Sequence, residues 1–123
     1  MANPNIVAVA NIYGKTVFDA DIATSASAIV TNAASSGKIL KINSLIIANI
    51  DGTNAADITA TIKNAAGNST SSTIANTVSV PADATLVVIS KDTSIYLEED
   101  MSIHLAASAA GDFSGTCSYD EIS

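Results

Sequence analysis

The feature that most constrains this chain is a period-two alternation of apolar and polar side chains, repeated in short blocks. Ile58, Ala60 and Ile62 alternate with Thr59, Thr61 and Lys63. Ile103, Leu105 and Ala107 alternate with His104 and Ala106. Phe113, Gly115, Cys117 and Tyr119 alternate with Ser114, Thr116, Ser118 and Asp120. Side chains that point alternately to two faces belong to strands with one face buried. The best helical candidate, Asp21 to Ala34, lacks apolar residues at the i, i+3, i+4 spacing a helix needs. Turn residues bound the blocks: Asp51-Gly52-Thr53-Asn54, Gly67-Asn68-Ser69-Thr70, Pro81, Glu98-Glu99-Asp100 and Ala110-Gly111-Asp112.

Further blocks complete the pattern. Ile6 to Ala10 is a short apolar run, Lys15 to Ala20 alternates, and Ser27 to Thr31 is a weaker strand. Thr73 to Val80 places Ile74, Asn76, Val78 and Val80 on one face, and Leu86 to Ile89 and Ile95 to Leu97 are short apolar runs. The strongest block is Lys38 to Ile50. Leu40, Ile42, Ser44, Ile46, Ala48 and Ile50 form its buried face; Lys41, Asn43 and Asn49 lie on the other, together with Leu45 and Ile47. Apolar residues on both sides of its middle predict a central strand. About eight or nine short strands with turns every 8 to 12 residues predict one all-β domain spanning 1–123, an antiparallel β-sandwich. Periodicity leaves immunoglobulin-like and jelly-roll topologies both open. Residues 1–12 can form an extended N-terminal arm.

Composition agrees. Ile and Val total 24 against 5 Leu, and β-branched side chains suit a pleated surface. Ala, Ser, Thr and Asn supply 60 of the 123 positions, so small residues pack between the sheets and line the exposed faces. At 48% apolar and 14% charged, the chain is too hydrophobic to be disordered. It has no 18-residue apolar run to span a membrane, and its first residues lack the basic region of a secretory signal.

Charge is uneven along the sequence. Residues 1–82 balance four Lys with four Asp, whereas residues 83–123 hold eight acids and Lys91, so the net charge of -7 falls in the last third. Nucleic-acid binding needs a basic footprint and is not expected. With no Arg and no Trp, an interface rests on Ile, Tyr and backbone.

No chemistry-bearing constellation emerges. Cys117 is the lone cysteine and reads as a buried thiol on an alternating strand. His104 is the lone histidine, so no zinc set exists; it reads as a surface or interface residue. No Gly-x-Ser-x-Gly elbow and no glycine-rich phosphate loop occur. Glu98-Glu99-Asp100 reads as a solvated turn. Asp51 to Asp57 lacks the alternating ligands of a calcium loop. Asn68-Ser69-Thr70 fits a glycosylation sequon, which matters only in a secreted protein. The expectation is a non-enzymatic protein with no catalytic residues, metal or cofactor.

A resemblance extends over nearly the whole chain. Ile50 to Ile58, Val80 to Ile89 continuing through Ile95 to Asp100, the closing Ser118 to Ser123 and the opening Met1 to Val7 resemble the small virion structural proteins of marine tailed phages, cyanophages especially. Where such proteins commonly carry Gly-Asp, this chain has Asp100-Met101. The resemblance implies a virion subunit assembled in the host cytoplasm, first of all a capsid decoration protein bound to the major capsid protein or another virion protein. It also implies a homo-oligomer, with a trimer the expected state. A neck, tail or fibre component is the alternative, and a carbohydrate-binding sandwich a more distant one. The carboxylates of the acidic last third lie mostly at turns and should concentrate at an end or edge of the sandwich, facing solvent. Ile6, Val7, Val9 and Ile12 of the neutral N-terminal segment are the candidate interface residues.

Overall fold

The structure, a computed structural model, describes residues 3–64 and 70–123. Its strands are β1 (Ile12–Asp19), β2 (Ser27–Thr31), β3 (Ile39–Asn49), β4 (Ala56–Asn64), β5 (Thr70–Val80), β6 (Thr85–Ile89), β7 (Ile95–Leu97), β8 (Ser102–Ala107) and β9 (Phe113–Ile122). The expected loop at Gly67-Asn68-Ser69-Thr70, with its sequon, falls largely outside the described residues.

The strands form two antiparallel sheets packed face to face. One runs β1-β9-β3-β6, with β7 also paired to β3; the other runs β2-β8-β4-β5. The first strand pairs with the last, β2 with β8, β3 with β6 and β7, and β4 with β5. This nesting is a long hairpin rolled into two sheets, the jelly roll. In an immunoglobulin sandwich the first two strands share a sheet; here β1 and β2 lie in different ones. β6 and β7 both run antiparallel to β3 and act as one edge strand, interrupted by a 3-10 turn at Lys91–Thr93.

The alternations place the core. Ile58, Ala60, Ile103, Leu105, Ala107, Phe113, Cys117 and Tyr119 are all buried between the sheets. Gly115 belongs to the same face by parity, and a side chain there would be tight. A Cβ there would lie 3.1 Å from a methyl of Ile22 and 3.3 Å from methyls of Ile29 and Leu105, so glycine lets the opposite layer approach the β9 backbone closely.

β3 departs from the expected pattern. Ile42 faces Tyr119 of β9 and Ser44 faces Ser118, leaving Asn43 without a partner. This one-residue bulge reverses the inward parity. Leu40 and Ile42 point into the core before it, and Leu45, Ile47 and Asn49 after it. Ile46, expected in the core, is 37% exposed on the outer face, and Ile50 is exposed beyond the strand's end. β3 is central, as expected, but only one of its faces is buried in the sandwich. β5 behaves similarly. Its register against β4 shifts twice, so Ile74 and Ala75 are both half-buried and Asn76 is exposed. Thr77 takes a positive φ of 45° and its N–H donates to Thr59 Oγ1 at 3.0 Å.

Two buried asparagines close the ends of the sandwich. Asn32 Nδ2 donates to the carbonyls of Lys38 (2.9 Å) and Leu97 (3.0 Å), and its Oδ1 accepts from Ser36 Oγ (2.6 Å). At the far end, Asn49 Nδ2 donates to the carbonyls of Asn54 (3.1 Å) and Val80 (3.0 Å), and its Oδ1 accepts from the Asp51 N–H (2.9 Å). Each satisfies loop groups that would otherwise be buried unpaired, at a cost of about 1–3 kcal/mol each.

Candidate functional site

The N-terminal segment is tied to the outer face of the β1-β9-β3-β6 sheet. The N–H groups of Ala10 and Asn11 donate to the Ser123 carbonyl at 2.7 and 3.0 Å, and the Ser123 N–H returns a bond to Asn11 at 2.9 Å. This prolongs the β1–β9 pairing. Upstream, Asn5 organises a turn: its Oδ1 accepts from the Val7 N–H at 3.0 Å and its carbonyl from the Ala8 N–H at 3.1 Å, the Asx-turn habit of asparagine. Asn3 Nδ2 donates to the Glu98 carboxylate. The segment thereby lies beside Ile39, and Pro4, Ile6, Ile39, Tyr96 and Glu98 line an open, largely apolar cleft of about 380 Å³.

Of the four expected interface residues, Val7 is 91% exposed, Ile6 and Ile12 are more than half exposed and Val9 is half-buried. Ile12 sits in register with Ile122, which in turn pairs with Ile39. The segment thus presents uncovered apolar area at one end of the sheet face. The parity reversal in β3 adds a second apolar row toward the other end. Phe18, Thr116, Ile46 and Val87 are mutual register neighbours on β1, β9, β3 and β6. Phe18 is 75% exposed and Val87 more than half. The bulge hides this row from a strict period-two reading of β3.

The acids sort differently in space than along the chain. Asp19, Asp21, Asp51, Asp57, Asp83 and Asp112 all lie at the end of the sandwich where β3 finishes. The loops there are stitched together: Ile50 N–H to Asp112 O (2.7 Å), Asp83 N–H to Asp51 O (3.2 Å), Ser108 N–H to Asp57 O (2.9 Å) and Gly111 N–H to Asp21 Oδ1 (3.0 Å). None of the five Lys residues lies at that end. Asp51 accepts from the N–H groups of Thr53 (2.8 Å) and Asn54 (3.3 Å), which holds its carboxyl below the usual range. At the other end Glu121 bridges Lys15 and Lys38, both at 3.0 Å. Those hydrogen bonds, first Lys38 and then Lys15, lower its pKa.

Two expectations need correction here. Glu98 is exposed, but Glu99 of the same acidic turn is only 4% exposed and accepts from the Gly37 N–H at 3.2 Å. It is a structural acid pinning the β2–β3 loop, not a solvated one. The last third's carboxylates are also not all gathered at one end: Asp83 and Asp112 join the acidic end, while the Glu98–Asp100 turn, Asp120 and Glu121 lie toward the lysines. Asp100 of the same turn has a φ of 68°, a left-handed geometry aspartate tolerates better than most residues.

His104 lies on the outer face of the other sheet, between Ala28 and Thr61 in register, yet is only 8% exposed. Its Nε2 contacts Ser102 Oγ at 2.9 Å, and its Nδ1 is buried without a hydrogen-bond partner. Burial first, and nearby Lys63 second, lower its pKa. Cys117 is fully buried, which pushes its thiol up to about 12; a thiol that stays protonated is a poor nucleophile. Among the described residues no three His, Cys, Asp or Glu side chains converge to hold a metal ion.

No family model and no curated protein matches the chain. A solved structure described as "Bacillus endospore appendages form a novel family of disulfide-linked pili" aligns with a TM-score of 0.48 and 17% identity, covering 91% of this chain and 88% of that one.

Proposed function

We propose that this chain is a non-enzymatic virion structural subunit of a tailed phage, and specifically a decoration protein bound to the outer surface of the capsid shell. One observation carries the reading beside the sequence resemblance: the two ends differ in charge and in their apolar segment, with the exposed row of Phe18, Ile46 and Val87 running toward the acidic one. Exposed Ile6, Val7 and Ile12 and the cleft lined by Pro4, Ile39 and Tyr96 mark one end. Six Asp residues without a lysine mark the other. Apolar contact area suits attachment to a protein shell. An unneutralised acidic end suits exposure to solvent, where repulsion between many copies keeps particles apart.

The test is attachment of the purified protein to undecorated shells, read by co-sedimentation. Deleting residues 1–11, which leaves β1 whole, should weaken attachment at least tenfold. Asp57→Lys with Asp112→Lys should leave it unchanged. Loss of attachment on charge reversal with none on deletion would invert the proposed orientation. Failure of the parent protein to attach to shells, with attachment to neck or tail assemblies instead, would move it to the alternative place in the virion. A second reading draws on the exposure of Tyr13, Phe18 and Tyr96, aromatics of the kind sugar-binding sandwiches present. Binding on a glycan array that is lost in Tyr96→Ala would favour it.

A further inference from the structure

Sheet edges expose unpaired N–H and C=O groups, and proteins blunt them with short strands, bulges or interruptions. Three of the four edges here are blunted. The β6/β7 edge is broken by the 3-10 turn at Lys91–Thr93. β2 is five residues long with a register shift between Ala28 and Val30. β5 carries two register shifts and the positive φ of Thr77. β1 is the exception. It pairs with β9 from Ile12 to Asp19 without a shift, is exposed from Ile12 through Thr16, and among the described residues makes no backbone hydrogen bond except to β9 and its flanks. It carries two charges: Lys15 is drawn toward Glu121 at 3.0 Å, and Asp19 stands at the strand's far end.

We infer that β1 pairs with β1 of a second copy, antiparallel across a two-fold axis through Thr16, so that the two sheets become one continuous sheet. The strand is self-complementary about that residue. Residues directly opposed across a two-fold normal to the sheet share a face, which restricts the register to a few choices. Centring on Lys15 sets two ammonium groups opposite each other, which is unfavourable. Centring on Gly14 sets Phe18 opposite Ala10, outside the strand. Centring on Val17 pairs Lys15 with Asp19 but sets Gly14 opposite Ala20, outside the strand, and leaves its open backbone uncovered. Centring on Thr16 sets Phe18 opposite Gly14 of the second copy, Tyr13 opposite Asp19, and Lys15 opposite Val17. Gly14 has nothing within 4 Å of the position a Cβ would take, so the exposed Phe18 ring of one copy covers the open backbone of the other, twice over. The same strand carries the projection and the space for it, which is why the occupant is a copy of this chain rather than an unrelated strand. Such a contact is isologous and closes as a pair, unlike the trimer the resemblance implies. It does not depend on where in a particle the protein is used.

The experiment uses the full chain. Sedimentation equilibrium should give a dimer, and Phe18→Lys should weaken it at least tenfold with an unchanged far-ultraviolet spectrum. Directly opposed Cα atoms in an antiparallel pair lie about 4.5 or 5.5 Å apart, both within disulfide range. Thr16→Cys should therefore form a covalent dimer under mild oxidation, whereas Thr53→Cys in an exposed loop should not; the buried Cys117 does not compete. A monomer at millimolar concentration, a three-fold assembly, a Phe18→Lys dimer as tight as the parent, or a Thr16→Cys dimer without a cross-link would each overturn the inference.

Discussion

At the scale of single residues, the instructive groups are those whose burial depends on partners far away in sequence. Cys117 and Tyr119 were legible because burial follows strand parity, a local property. Asn32, Asn49 and Glu99 were not, because what makes each one buriable is a backbone group supplied from elsewhere in the chain: the Leu97 carbonyl, the Val80 carbonyl and the Gly37 N–H. His104 was legible as an outward residue but not as a covered one. Its low exposure gives a testable pH dependence. A histidine whose native pKa is lowered binds fewer protons folded than unfolded, so stability rises with pH through that window. Stability should therefore be intact above about 6.5 and decline as pH falls from there toward the lowered native value. Glu121 acts in a lower window. Its stabilisation is present above its ordinary 4.5 and is lost as pH falls through its lowered native value. Urea midpoints measured against pH should show two successive declines on acidification, and His104→Gln should remove the upper one alone. An unchanged upper decline in that variant would assign it to another group.

At the scale of elements, nearly all the strands were legible, because turn residues and alternation are both local signals. Their faces were legible only where pairing runs without interruption. β4, β8 and β9 kept the expected face over the residues that set the core, while β3 changed face at Asn43, and nothing in the run Lys41-Ile42-Asn43-Ser44-Leu45 announces a bulge. Period two makes the consequence all-or-none, since one extra residue exchanges the two faces for the rest of the strand. Alanine substitution on either side of Ile46 reads this directly. Leu45→Ala removes a fully buried side chain and should cost about 2–5 kcal/mol. Ile46→Ala trims a partly exposed one on the outer face and should cost under about 1.5 kcal/mol. Denaturant unfolding of the two variants gives the comparison, and equal losses would argue that β3 has no bulge. The bulge also moves Asn49 inward to close the sandwich and leaves Ile46 in the exposed row with Phe18 and Val87, so one local irregularity shapes both the core and the outer surface.

At the scale of the whole molecule, charge along the chain and charge in space are different quantities. The last third holds the net charge in sequence, but the jelly roll carries four acids of the first two thirds, Asp19, Asp21, Asp51 and Asp57, to the same end as Asp83 and Asp112. The remaining six acids share the rest of the molecule with all five lysines. The two regions should respond to salt with opposite signs. At the acidic end the pairwise interactions are repulsive, so screening stabilises; around Glu121 they are attractive, so screening removes stabilisation. With six like charges lacking a counter-charge, repulsion should dominate, and the thermal midpoint should rise between about 0.01 M and 0.5 M sodium chloride, over which the screening length falls from roughly 30 Å to a few ångströms. Asp57→Lys with Asp112→Lys should raise the midpoint at low salt and flatten its rise. Glu121→Gln removes the attractive partner at the other end, lowers the midpoint at low salt and leaves a steeper rise. Scanning calorimetry of the three proteins across salt separates the contributions. A parent midpoint that falls with added salt would mean that the ion pairs around Glu121 outweigh the acidic end, and the separation of poles on which the proposed attachment rests would then lose its energetic meaning.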